Sequence, residues 1–187
     1  MDIGQTLYVK DRRQFRSWLK KHHRSEKEIW LVYYKKNSGK PRIPYNDAVE
    51  EALCFGWIDS ILKPIDHVCY AQRFSPRKPG SKLSPMNRER VRRLIRSGRM
   101  TKAGLDAIRH HVREPAKPAK LIIPPDILRA LKKDRKVWEN FCKFPESYKR
   151  IRVGWIAGAR HRPEIFKQRL NYFLKMTGQG KRFGMVQ

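Results

Sequence analysis

The 187-residue chain carries 44 Lys and Arg against 17 Asp and Glu, a formal net charge of +27, with 40% apolar and 11% aromatic residues. Those apolar and aromatic shares exclude a disordered basic tail and suffice for a core in one domain or two small ones. A charge this large opposes compaction and points to polyanionic partners.

The imbalance grows along the chain. Residues 1–75 hold 14 basic against 9 acidic residues, residues 76–113 hold 12 against 2, and residues 117–187 hold 18 against 5. No apolar run approaches the ~18–20 residues of a membrane span. The segment Met1–Thr6 lacks the basic-then-apolar order of a signal peptide. Cys54, Cys69 and Cys142 show no CxxC spacing and sit in apolar patterns, so reduced thiols and a cytoplasmic location are expected.

Asp11 and Gln14 resemble a capping box, and Phe15, Trp18, Leu19 and His22 then share a face, which predicts a helix over about 11–23. Ile29–Tyr34 is β-branched and aromatic and ends at Asn37-Ser38-Gly39, the pattern of a strand buried on both faces. Ala48, Val49, Ala52 and Leu53 predict a second helix at about 45–55, stopped by Gly56. Trp57–Ile65 and Val68–Ser75 read as strands of a hairpin, the first marked by Pro64 as an edge or bulged strand.

Beyond Pro79-Gly80 the pattern is helical. Ser84 and Pro85 open a helix that Gly98 closes, and Thr101 opens another that ends near Val112. The proline-containing segment Arg113–Lys120 reads as an extended linker. Four helices are then predicted at Pro125–Lys133, Arg135–Phe144, Glu146–Ala159 and Glu164–Met176, with a mobile tail from Thr177 to Gln187. The last helix has a stripe of Ile165, Phe166, Arg169, Leu170, Phe173 and Leu174.

In the helix from Pro85, Val91, Leu94 and Ile95 form the apolar stripe, while Arg88, Arg92, Arg96 and Arg99 follow a helical row with Arg93 beside them. Like charges at i, i+4 cost an isolated helix about 0.2–0.5 kcal/mol per pair, so stability alone does not select this row. Arginine forks suit phosphate oxygens. The candidate polyanion-binding set is Arg77, Lys78, Arg88, Arg92, Arg93, Arg96, Arg99 and Lys102, the alternative being a solvated basic face. A second candidate is a pocket of Trp57, Asp59, Tyr70 and Arg73, in which Asp59 and Arg73 pair across the hairpin. The plainer reading makes Trp57 core and that ion pair a device that fixes strand register.

Catalytic signals are weak. Cys54 or Cys69 with His67 sits in no nucleophile motif. Glu50 and Glu51 are adjacent on a helix and diverge, and the pairs His22-His23 and His110-His111 lack the i, i+4 spacing of a metal site. No catalytic residue, metal or cofactor is assigned.

Trp30–Lys36, Ala48–Asp59, Gln72–Arg77, Asn87–Val91 and Gly98–Thr101 resemble, in order and spacing, the YdeI/OmpD-associated bacteriocin-protection family. The stretch from Pro125 to Gly180 is similar to that family's small C-terminal helical domain. The resemblance implies a link to tolerance of cationic antimicrobial peptides and to an outer-membrane porin, and it supplies no catalytic residues. A cationic protein repels cationic peptides rather than sequestering them.

The expectation is thus α+β: a small antiparallel or mixed sheet with helices over 1–112, a linker at 113–120, a helical bundle over 121–176 and a tail at 177–187. The expected function is non-enzymatic binding of nucleic acid or another polyanion. Two alternatives stand beside it, a small-ligand binder or enzyme at the Trp57 pocket and a stress-protection protein acting through a protein partner.

Overall fold

The computed structural model describes residues 2–109 and 120–184. Among them are a four-stranded mixed sheet and eight helices, with helices in the C-terminal half. The strands β1 (Thr6–Leu7), β2 (Ile29–Tyr34), β3 (Trp57–Pro64) and β4 (Cys69–Pro76) lie in the order β1-β2-β4-β3. β1 runs parallel to β2 and the other pairings are antiparallel. Proline cannot donate to a ladder, and β3, which ends in Pro64, is indeed an edge strand. The sequence pattern does not reveal β1, because two residues carry no period.

α1 (Arg12–His22) and α2 (Tyr45–Cys54) cover one face of this sheet. Phe15 meets Phe74 edge-on at 5.5 Å, Trp18 meets Trp57 at 5.8 Å, and the Tyr45 hydroxyl reaches Asp59 at 2.6 Å. Phe15, Trp30, Trp57 and Phe74 are all at most 1% exposed, and each contributes roughly 1.5–3 kcal/mol through burial. The capping box at α1 is shifted by one residue. Asp11 accepts from the Gln14 N–H at 3.0 Å, while the Gln14 side chain accepts from Lys10 rather than Asp11.

The hairpin holds a bulge. Asp59 pairs with Phe74, but Leu62 pairs with Gln72, so two residues of β3, Ser60 and Ile61, oppose Arg73 alone on β4. The buried Gln72 amide donates to the carbonyls of Ser60 at 3.2 Å and Ile61 at 3.3 Å, which the bulge would otherwise leave unpaired.

α3 (Pro85–Arg96) and α4 (Lys102–Ile108) follow. Thr101 caps α4 by accepting from the Gly104 N–H, and its own N–H and hydroxyl donate to the Cys54 carbonyl at 3.1 and 2.6 Å. One residue thereby caps the start of one helix and the end of another. Of the expected α4 ending near Val112, residues 110–112 lie outside the described residues, and α4 itself closes at Ile108. Residues 113–119 of the expected linker lie outside them too.

The C-terminal helices are α5 (Pro125–Lys132), α6 (Arg135–Lys143), α7 (Glu146–Ala157) and α8 (Pro163–Gly178). Their core contains Ile127, Leu131, Val137, Phe141, Tyr148, Ile156 and Phe173. The expectation of a tail from Thr177 needs correction over its first residues. α8 continues through Gly178, and the Phe183 ring packs near Tyr148, Trp155, Tyr172 and Phe173 and lies 4.2 Å from the Arg152 guanidinium carbon. Phe183, an aromatic residue beyond Gly178 and Gly180, packs this segment onto α7 and α8.

Contacts divide the chain into two units, Met1–Lys82 with Arg90–Ala116, and Leu83–Glu89 with Lys117–Gln187. The division falls inside α3. Its first turn belongs with the second unit, where Arg150 holds both Glu89 oxygens at 2.9 and 2.8 Å.

Candidate functional site

The most elaborate side-chain cluster of the first unit is built on two adjacent acids of α2. Glu50 is 4% exposed and Glu51 is 0% exposed, so neither carboxylate has water to stabilise it. Arginines fill their place. Glu51 accepts from Arg12 Nε at 2.9 Å, from Arg16 Nη1 at 2.8 Å and from Arg99. Glu50 accepts from Arg12 Nη2 at 3.1 Å and from Arg93. All four carboxylate oxygens thus receive guanidinium donors from α1, from α3 and from the segment leading into α4.

For Arg12 and Arg16, burial pulls the pKa down, but the hydrogen bonds to the glutamates outweigh it and the guanidinium sits above its usual value. Breaking a buried pair by removing one partner costs about 3–5 kcal/mol, because the other charge is stranded. The cluster therefore fastens three segments to α2. Adjacency on α2 suggested that Glu50 and Glu51 diverge; the structure instead brings both onto the Arg12 guanidinium, and each adds arginines of its own.

The candidate polyanion set divides accordingly. Arg93 and Arg99 are anchored on Glu50 and Glu51. Arg77 clamps its own loop, donating to the Ser81 carbonyl at 2.8 Å and the Lys82 carbonyl at 3.3 Å, and its burial lowers its pKa. Arg88 donates through Nε to the Leu83 carbonyl at 3.2 Å and is otherwise exposed. Arg92 is half-buried, and Lys78, Arg96 and Lys102 are exposed.

The candidate pocket does not assemble as drawn. Trp57 is core, its indole N–H donating to the His23 carbonyl at 3.1 Å. Arg73 does not meet Asp59; it pairs with Glu28 at 2.6 Å and touches Ser60 Oγ at 3.3 Å. The reason is the bulge. Continuing the register of Leu62 with Gln72 would set Asp59 opposite Ser75, on the face of Arg73. The extra residue sets Asp59 opposite Phe74 instead, turning it to the helix-covered face.

On that face Asp59 joins a different group. Its carboxylate accepts from the Tyr45 hydroxyl, and the Tyr45 pKa is pushed up, first by burial and then by that bond. Tyr33 and Tyr70 are cross-strand partners with rings stacked at 5.4 Å and 7°. Arg42 donates to the Tyr70 hydroxyl at 2.7 Å and lies 5.8 and 5.9 Å from the two ring centres. Arg90 is 9% exposed, donates to Asn46, and has its pKa lowered by burial. Of the candidate pocket residues, Asp59 meets Tyr45 and Tyr70 meets Tyr33 and Arg42, while Trp57 and Arg73 serve elsewhere. Sequence reasoning missed Tyr33, Arg42 and Tyr45, whose only prior signal is the aromatic density of 29–45, and Arg90, which had none.

The thiol readings also separate. Cys54 is buried at the end of α2, and its pKa is pushed up to about 11, by burial first and the Glu51 charge second, against Arg16 and Arg99. His67 is exposed at the hairpin turn and Cys69 is buried, its pKa likewise raised by burial. Among the described residues no three His, Cys, Asp or Glu are grouped to hold a metal, and no helix is long and apolar enough to cross a membrane.

Residues 7–107 match a family model described as a domain of unknown function, DUF8412. Residues 120–180 match the model described as bacteriocin-protection, YdeI or OmpD-associated. No curated protein and no solved structure matches the chain. The resemblance noted from the sequence is therefore carried by the C-terminal helices, and the motifs between Trp30 and Thr101 fall within the other family's match. The chain belongs to the DUF8412 family, whose domain spans more than half of it, and its C-terminal third matches the YdeI or OmpD-associated, bacteriocin-protection model.

Proposed function

We propose that this protein is a non-enzymatic, cytoplasmic binder of polyanions, nucleic acid foremost. The observation that carries the reading is the disposal of charge. Only 17 acids face 44 lysines and arginines, and the most buried acids, Glu50 and Glu51, are already spent on internal arginines. The remaining lysines and arginines outnumber the remaining acids and raise the free energy of the compact chain, a cost that a phosphate backbone removes.

In the first unit the binding groups are Lys78, Arg92, Arg96 and Lys102. In the second they are Arg88 and the exposed Lys132, Lys133, Lys136 and Lys143 of α5, α6 and the turn between them. Base selectivity is weak, because the chain carries no base-reading motif.

Titration of labelled duplex and single-stranded DNA over a series of salt concentrations tests the proposal. With four to six phosphate contacts, log K falls against log salt with a slope of about −3 to −5. A flat dependence, or no binding at low salt, overturns it.

A further inference from the structure

The Tyr33 hydroxyl is buried, with the residue 1% exposed, and it has no hydrogen-bond partner. A buried polar group left unpaired costs about 1–3 kcal/mol, so it needs an explanation other than packing. Phenylalanine would fill the same space without that cost. The residue is not isolated from other polar groups: its ring stacks on Tyr70 at 5.4 Å, and the Arg42 guanidinium lies 5.8 Å from its ring centre.

The donors and acceptors in this group are unequal. Tyr70 accepts from Arg42, which leaves the proton of its own hydroxyl to be donated elsewhere. Tyr33 likewise has a proton to donate. Arg42 is exposed and adds a guanidinium with five N–H groups, of which the Tyr70 bond uses one. The sole acid of the group, Asp59, is engaged by Tyr45. No acceptor of the cluster reaches the Tyr33 hydroxyl, and the exposed group beside it is the Arg42 guanidinium.

We propose that Tyr33, Tyr70 and Arg42 form a binding site for a small organic carboxylate. Two phenolic donors and one planar guanidinium match the two oxygens of such a group. A phosphate dianion suits the site less, since its second charge falls near the half-buried Asp59 carboxylate. Tyr45 and Arg90 frame the site, Tyr45 by holding Asp59 away from the ligand and Arg90 by adding positive potential. The site lies within the first unit and does not depend on the polyanion reading.

The test is calorimetric titration of the full chain with benzoate, acetate and inorganic phosphate, repeated on Tyr33→Phe and Arg42→Ala. Saturable benzoate or acetate binding is expected, weakened about tenfold in Tyr33→Phe, the effect of losing one hydrogen bond to a charged group. Arg42→Ala weakens it at least as much. Tyr33→Phe keeps or raises the melting temperature, since it deletes an unpartnered hydroxyl. No saturable carboxylate binding, as when an ordered water satisfies Tyr33, overturns the proposal. So does carboxylate binding that ignores both substitutions, and so does a preference for phosphate over either carboxylate. DNA affinity of Tyr33→Phe stays at the parent value, which separates this outcome from that of the polyanion test.

Discussion

At Cys54 the local electrostatics decide reactivity. The thiol is 0% exposed at the end of α2, and burial together with the Glu51 charge lifts its pKa to about 11 from an ordinary 9.0, against the pull of Arg16 and Arg99. Because the folded value is raised, the neutral thiol favours the folded state at every pH below about 9. That contribution is lost as pH climbs from 9 towards 11. Native protein treated with iodoacetamide at pH 8 is expected to be modified at the exposed Cys142, with Cys54 reacting only after unfolding. Rapid labelling of Cys54 in the folded protein contradicts this description. The same neighbourhood shows what sequence spacing conceals. Glu51 binds arginines 39, 35 and 48 positions away, and no local pattern states which row of α3 turns inwards. The periodicity marked Arg88, Arg92, Arg96 and Arg99 as one row, yet Arg99 lies beyond Gly98, where the helix has ended and the chain has turned.

Among the elements, the contact of α4 with the end of α2 is the tightest. A Cβ placed on Gly104 runs into the Cys54 carbonyl oxygen and lies 2.7 Å from its carbon and 2.9 Å from the Leu53 oxygen. Gly104→Ala is expected to destabilise the first unit by about 3 kcal/mol or more, the upper end of the range for forcing atoms into a packed interface, because the clash is with backbone. Gly80→Ala is the control: at φ +73° with nothing within 4 Å of the added carbon, it meets only the left-handed backbone cost of about 1–2 kcal/mol. Denaturant unfolding of both variants checks the pair, and equal loss at the two positions contradicts the packing argument. Most element boundaries were legible, because caps and stops are local: Asp11, Thr101 and Asp134 each accept from an N–H of the helix they open. The partner of Asp59 was not legible. It depends on a bulge that the sequence marks only by Pro64, and one inserted residue reverses the face of everything before it.

For the whole molecule, one basic sequence divides into cations that hold the fold and cations left exposed. Composition gave the surplus of +27 but not the division, which comes from buried carboxylates on α2. Arg93→Ala and Arg96→Ala, three residues apart on α3, separate the two roles. Arg93 holds Glu50 together with Arg12, so its loss is partly covered and is expected to lower stability by about 1–2 kcal/mol. Its effect on the salt slope of DNA binding is small. Arg96 is exposed, so alanine there is expected to change stability by less than about 0.5 kcal/mol while making the salt slope shallower by about one. Thermal unfolding and the DNA salt titration, run side by side on these two variants, test the division most directly. Arg93→Ala unfolding earlier with DNA binding intact, and Arg96→Ala doing the reverse, is the predicted result. Arg96→Ala that loses stability and leaves DNA binding unchanged contradicts it.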